Sequence, residues 1–324
     1  MKIPAMLQVF SIFFILAPIS GNAQPLVALD LVNVDSPGNK PDQRTHLGSV
    51  KHRFAIGKYE VTINQYIAFL NAVASINNPQ KPWLTELYHP EMAAYRNIGA
   101  LIIRKGSGLS NDPYLYENPL GGDGNRPVPW VSWFDCARFA NWLHNGATFG
   151  ANTENGAYEL NGKNAGIIRK QARAKWWIPS ENEWYKAAFY DPSSKTYSYW
   201  PIKNSERLPN ECGKDDANLR SSANYNYCGE KAASQYDVGG LLTRVGTYKN
   251  SSSYYGTYDQ AGNLWEWTDT TTVKSMRIIR GGSWSNGILT TDIYQRRDYP
   301  YESIRGVPAY YDDDTGFRLA ALPQ

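Results

Sequence analysis

The most constraining stretch of this chain runs from Tyr258 to Trp267 and reads Tyr–Asp–Gln–Ala–Gly–Asn–Leu–Trp–Glu–Trp. Arg280–Gly–Gly–Ser–Trp284 follows it, and Gly316–Phe–Arg–Leu319 closes the sequence. Trp265 and Trp267 alternate with Glu266, so in a strand both tryptophans share one face and Glu266 points to the other. The tryptophan face is expected to be core. Phe317 and Arg318 repeat the alternation. Gly281 and Gly282 before Ser283 suit a bulge or a close approach of backbone.

The chain begins like an export signal. Met1 and Lys2 give a short positive start, an apolar run spans Ile3 to Ile19, and Gly21–Asn–Ala23 is a small-residue cleavage site. The mature chain is expected to start at Gln24, as one domain over 24–324; an uncleaved anchor is the alternative. No other stretch is long and apolar enough to span a bilayer. The protein is therefore expected to be exported, periplasmic or secreted, with no transmembrane segment after cleavage. The formal net charge is +3, with the basic residues scattered. Nothing in that pattern suggests a nucleic-acid stripe. With 11 Trp and 23 Tyr, core and loops must be built largely from aromatic packing, polar tips hydrogen-bonded. In an oxidising compartment Cys212 and Cys228 are candidates for a disulfide across a short loop, with Cys136 left over; three unpaired thiols is the other reading.

Phe54 to Val61 alternates as a strand, and Thr62 with Gln65 three residues on forms a capping box for a helix carrying Tyr66, Phe69, Leu70 and Val73. Residues 75–125 read as a long irregular insertion. Ser132 caps a second helix with Asp135 in its first turn, ending at Asn145–Gly146. Cys136 lies inside it and reads as a small buried hydrophobe. Ser180 and Glu183 box a third helix through Tyr190. Short strands are expected at 262–267, 275–280 and 316–320. Few helices, short strands and much ordered loop give an α+β domain.

Six segments occur in order: Gly57–Lys–Tyr–Glu–Val–Thr62, Pro129–Trp–Val–Ser–Trp133, Ile178–Pro–Ser–Glu–Asn–Glu–Trp184, Ala261–Gly–Asn–Leu–Trp–Glu–Trp267, Arg280–Gly–Gly–Ser–Trp284 and Gly316–Phe–Arg318. With them the chain resembles the sulfatase-modifying-factor family of the formylglycine-generating enzyme, over about residues 50–322. The resemblance implies a variant of the C-type lectin fold, low in regular structure, with a few helices around short antiparallel sheets.

It also implies a structural Ca²⁺ site at Asp259, Gly262, Leu264 and Glu266, spaced like the family's ligands. Calcium takes hard oxygens from carboxylates and turn carbonyls. Asp259 and Glu266 would offer side-chain oxygens, Gly262 and Leu264 carbonyls. A carboxylate pair held by loop amides is the alternative. By order and type, Asn224, Tyr225, Asp237 and Gly239 are candidates for a second site. Asp312, Asp313 and Asp314 read as a solvated turn.

In the family's enzymes two cysteines after the Gly–Gly–Ser–aromatic motif hold copper(I), for which thiolate is the natural ligand. The matching positions here are Asn286 and Thr291, so copper is not expected and copper–dithiolate chemistry is excluded. The family's segment between its last two motifs receives an extended peptide. That implies a peptide or protein ligand for Trp284, Asn286, Thr291, Tyr294, Arg296 and Arg297, residue types favoured at recognition surfaces. Two functions stand side by side: a calcium-stabilised binding or accessory module, and an oxidoreductase that matures a peptidyl or small-molecule substrate through an unidentified site.

Overall fold

The computed structural model describes residues 24–94, 101–119, 124–205, 209–211, 222–227, 241–272, 276–287, 291–300 and 311–324. The apolar leader and both Cys212 and Cys228 lie outside them. No helix among the described residues is long and apolar enough to cross a membrane.

The elements are short. In chain order they are β1 (Leu31–Val34), β2 (Phe54–Gly57), α1 (Ile63–Val73), α2 (Pro82–Thr85), α3 (Glu91–Ala94), β3 (Ile103–Lys105), β4 (Leu115–Glu117), α4 (Trp133–His144), β5 (Trp176–Trp177) and α5 (Glu181–Phe189). There follow β6 (Tyr190–Asp191), β7 (Thr196–Tyr197), β8 (Asn210–Glu211), β9 (Ser222–Ala223), β10 (Trp265–Thr271), β11 (Met276–Arg280), β12 (Arg297–Pro300), β13 (Thr315–Gly316) and β14 (Ala320–Ala321). One sheet has the order β1-β2-β14-β5 and a second the order β12-β11-β10-β13. Within them only β10 and β13 pair in parallel.

The three long helices start where their capping chemistry places them. Thr62–Gln65, Ser132–Asp135 and Ser180–Glu183 each form a complete box, side chain to backbone in both directions. Such a box satisfies amide donors that the first turn cannot satisfy internally. The third helix stops one residue earlier than its apolar pattern suggests. Tyr190 is its extended C-cap and begins β6, which pairs Tyr190 with Tyr197. The irregular insertion also holds local order, α2, α3 and the β3–β4 hairpin.

The core is aromatic where α1 crosses α4. Phe69 lies 5.2 Å from Phe139 and 5.3 Å from Trp142, and Phe139 lies 5.5 Å from Phe317 near the chain end. These tilted and edge-on contacts are the favoured geometry for ring quadrupoles. Cys136, on α4, is fully buried and burial pushes its thiol well above the ordinary range.

Three strands differ from their expected limits. The strand expected over Phe54–Val61 stops at Gly57. β10 begins at Trp265, because residues before it form a turn with positive φ at Asp259, Gly262 and Asn263. The expected strand at 316–320 divides between the two sheets. Gly316 pairs with Glu266 of β10, whereas Ala320 pairs with Ile56 and Trp177. Between them the Val61 and Gly57 amides donate to the Phe317 and Leu319 carbonyls at 2.8 Å each. The last segment therefore stitches one sheet to the other.

Ser132→Ala removes a buried hydroxyl that donates to Asp135 at 2.7 Å and accepts its amide at 3.2 Å. Loss of such a cap is expected to cost about 1 kcal/mol, read as a lower denaturant midpoint with an unchanged slope. An unchanged midpoint would show that the cap contributes nothing.

Candidate functional site: a buried carboxylate–guanidinium centre beneath the Gly–Gly–Ser–Trp turn

The turn before β10 is held by backbone geometry that few residues can adopt. Gly262 has φ +83°, and a Cβ there would sit 2.1 Å from the Asn224 carbonyl oxygen. Its amide donates to Gly281 at 2.8 Å. Asn263, at φ 62°, is pinned on every side. Its amide donates to Asn224 and its carbonyl accepts from the Trp284 amide. Its side chain donates to Glu60 Oε2 at 2.9 Å and accepts from Asn224 Nδ2 at 3.0 Å. The turn thus locks the Gly–Gly–Ser–Trp segment to the start of β10.

Beneath it lies a charged centre. Glu266 and Arg318 have no solvent access, and Arg318 donates to both Glu266 oxygens, from Nε at 2.6 Å and Nη2 at 2.7 Å. Trp184 Nε1 donates to Glu266 Oε2 at 2.8 Å. Arg318 also donates to the Gly57 carbonyl at 3.0 Å and the Tyr258 carbonyl at 2.8 Å. Asp259 Oδ2 accepts the Gly246 amide at 2.6 Å.

Glu60 joins this centre, and the sequence reading gave it no role. It is buried, and its Oε1 accepts the Leu264 amide at 3.1 Å. The signal was a glutamate at a core-facing position of Gly57–Lys–Tyr–Glu–Val–Thr62, which alternation alone does not separate from a surface residue. Glu60, Asp259 and Glu266 outnumber the guanidinium that faces them. Burial first, then the Asp259 and Glu266 charges, hold the Glu60 carboxyl well above the ordinary range. Burial pushes Asp259 up to about 6.

Calcium takes carboxylate and carbonyl oxygens, and the oxygens expected to hold such an ion here are those of Asp259 and Glu266 with the Gly262 and Leu264 carbonyls. Both Glu266 oxygens already accept from Arg318, and Oε2 also from Trp184, so an ion would have to share them. Glu60, Asp259 and Glu266 do not bring their ligand atoms within 4.8 Å of one another, as Asp312, Asp313 and Asp314 do. When bound, such an ion supplies charge neutralisation and a fixed turn.

The second set of candidates is only partly described. Asn224 is buried, bridges in parallel to Gly262 and donates to the Leu241 carbonyl at 2.9 Å. The Tyr225 hydroxyl donates to the Pro209 carbonyl at 2.8 Å. Asp237 and Gly239 lie outside the described residues.

The recognition segment falls into two groups. Trp284 is buried, with Tyr227 edge-on at 5.3 Å. Asn286 Oδ1 accepts from Trp265 Nε1 at 2.6 Å and lies 2.8 Å from Ser283 Oγ, whose single proton it competes for with Asp314. Asp314 is buried, not solvated as its turn suggested, and accepts from Ser283 at 2.8 Å and Ser285 at 3.0 Å. Its ligand atoms and those of Asp312 and Asp313 lie within 4.8 Å of one another. In the other group Thr291 is buried, and exposed Tyr294 meets Tyr199 edge-on at 5.9 Å. Arg296 reaches Glu181 at 3.6 Å. Arg297 pairs with Ile279 through β12.

Residues 30–322 match the family described as the sulfatase-modifying factor enzyme 1-like domain, and the chain belongs to that family. The match begins at residue 30, ahead of the first motif at Gly57, and takes in β1. Among solved structures the chain is similar to Treponema denticola variable protein 1, at 20% identity and a TM-score of 0.53, covering 92% of this chain and 96% of that one. It is similar to CarF at 19% identity and a TM-score of 0.51, covering 92% and 99%. At such identities the likeness is one of fold, and the fold is of the formylglycine-generating-enzyme and C-type-lectin-like kind. No curated protein matches the chain.

Gly262→Ala is expected to destabilise the protein by well over 1 kcal/mol (~1 kcal/mol is the usual strain cost), because its methyl meets backbone that cannot swing away. Equal stability of the variant would refute the turn geometry.

A pH dependence also follows. Burial raises Asp135 and Asp259 to about 6 and Asp269 to about 7, against an ordinary value of 3.8. The folded state binds protons more tightly across that window, so stability falls as pH rises through it. In chelator, melting temperature should climb as pH is lowered from about 7.5 to about 5. Asp42 acts oppositely: burial would raise it, but hydrogen bonds from Arg44 and Tyr185 hold it low, so its contribution is lost only below about pH 4. A melting temperature that rises steadily with pH from 5 to 7.5 would contradict this assignment.

Proposed function

We propose that this family member is an exported, calcium-stabilised binding or accessory module for a peptide or protein, without copper–dithiolate chemistry. The observation that carries the reading is Asn286. It occupies the position of a family thiolate, and its amide oxygen is held by Trp265 and Ser283. A carboxamide used as a hydrogen-bond acceptor there builds a rigid polar floor and offers no soft ligand for copper. Thr291 replaces the second thiolate and is buried. Cys136, the thiol among the described residues, is buried in α4.

The exposed rim supports recognition of an extended ligand. Tyr199, Tyr227 and Tyr294 are exposed, Tyr199 against Tyr294 and Tyr227 against Trp284. Such residues bring large contact area with few rotatable bonds. The charge excess of Glu60, Asp259 and Glu266 over Arg318 supports calcium as the stabilising ion.

Glu266→Ala would leave the buried Arg318 unpaired and is expected to unfold the protein by itself. Asp259→Asn is the cleaner variant, since it keeps shape and removes charge. Metal analysis of purified protein should find calcium and no stoichiometric copper. Calcium should raise the melting temperature of the parent over chelator, and raise that of Asp259→Asn less. Identical responses would reject the site; sulfur-bound copper, or conversion of a sulfatase cysteine to the aldehyde, would reject the function. Ligand capture from envelope extract should weaken in Tyr294→Ala, whose melting temperature should match the parent.

A further inference from the structure

A cavity of about 360 Å³ opens where β10 ends and β11 begins, bounded by Arg169, Lys170, Asp269, Thr271 and Arg277 with Ile167 at its edge. We propose that it is an anion site, taking a phosphate-class oxyanion carried on a small organic molecule.

The back wall is fixed. Arg277 is buried, lies 3.7 Å over the Trp133 ring, and donates to Asp269 Oδ1 and to the Ile168 carbonyl, both at 2.8 Å. Asp269 pairs with Arg277 and Glu183 faces Lys170, so the cations Arg169, Lys170 and Arg277 exceed the acids by one. Lys170 holds its ammonium 4.1 Å over the Trp177 ring, a contact that positions the charge without neutralising it. Arg169 is exposed. Neither makes an ion pair among the described residues.

Glu183, the acid that faces Lys170, shares its charge with other donors. It accepts from His52 at 2.9 Å, from Trp177 at 3.2 Å and from the Ser180 amide at 2.7 Å. The field continues along the chain. Lys163, Arg169, Lys170, Arg173 and Lys175 occur within one segment that contains no Asp or Glu. Arg173 and Lys175, after burial, depress the nearby His144. A concave, partly apolar wall beside cations in excess focuses anions.

The ligand class follows from what remains to be satisfied. The Arg277 fork is engaged, so the site offers the Arg169 fork, the Lys170 point charge and the Thr271 hydroxyl. Donors of different geometry converging from several sides suit a tetrahedral oxyanion, which has more acceptor oxygens than a carboxylate. The cavity exceeds such an ion in size, and Ile167, 47% exposed, gives the remainder of a ligand an apolar edge.

The test is titration of the full chain by calorimetry at constant ionic strength, with inorganic phosphate, phenyl phosphate and chloride. Phosphate should saturate, phenyl phosphate should bind several-fold more tightly, and chloride should not saturate. Arg169→Gln with Lys170→Met, which keep the aliphatic stems, should weaken both phosphates at least tenfold while melting as the parent does without ligand. If the double variant misfolds, Arg169→Gln alone should still weaken phosphate several-fold. Binding unchanged by the variants, or a phosphate response no different from that of chloride, would overturn the assignment.

Discussion

A guanidinium and a carboxylate, neither reached by solvent, fix the architecture of this domain. Arg318 comes from the segment that leaves the second sheet for the first, and Glu266 from the strand at the second sheet's centre. Removing either charge from water is costly, and the geometry offsets that only through complete hydrogen bonding. Both Glu266 oxygens are used, and Arg318 reaches the carbonyls of Gly57 and Tyr258 besides. The pair therefore specifies where β2, the Tyr258 loop, β10 and the chain end must meet. An apolar pair would fill the space without setting that register.

The same logic runs through a fold with little regular structure. Backbone groups outside helices and sheets still need partners, and buried polar side chains supply them. Asn141 donates to the Thr153 and Tyr158 carbonyls at 2.7 and 2.9 Å, ordering the loop behind α4. Asn39 donates to the Gly48 carbonyl at 2.7 Å and accepts the Val50 amide at 3.2 Å. Asn263 does the same for the turn above Glu266. Loops tied in this way have their conformation set by buried polar contacts rather than by regular secondary structure.

In the same way Asn286 links β10 to the Gly–Gly–Ser–Trp turn, its amide oxygen accepting from Trp265 Nε1 and lying 2.8 Å from Ser283 Oγ. Thr291 is buried. The two positions contribute packing and hydrogen bonds to the segment that follows β11.

Local chemistry determined much of this from sequence alone. The three capping boxes start their helices where hydroxyl and carboxyl or amide spacing dictates, because a cap involves residues three apart. The alternation at Trp265–Trp267 and the ordered motifs fixed the family and its fold. Tertiary structure decided what depends on residues far apart in the chain. Alternation placed Glu266 on the face away from the tryptophans, yet could not say that Arg318 and Trp184 would bury it there. Glu60 became part of the same centre only when the segment after β2 met a turn some two hundred residues on. The strand expected at 316–320 split because two sheets compete for it, a competition that no local pattern records. Charge compensation in a low-dielectric interior is a property of the whole assembly, so its members emerge only when the chain is folded.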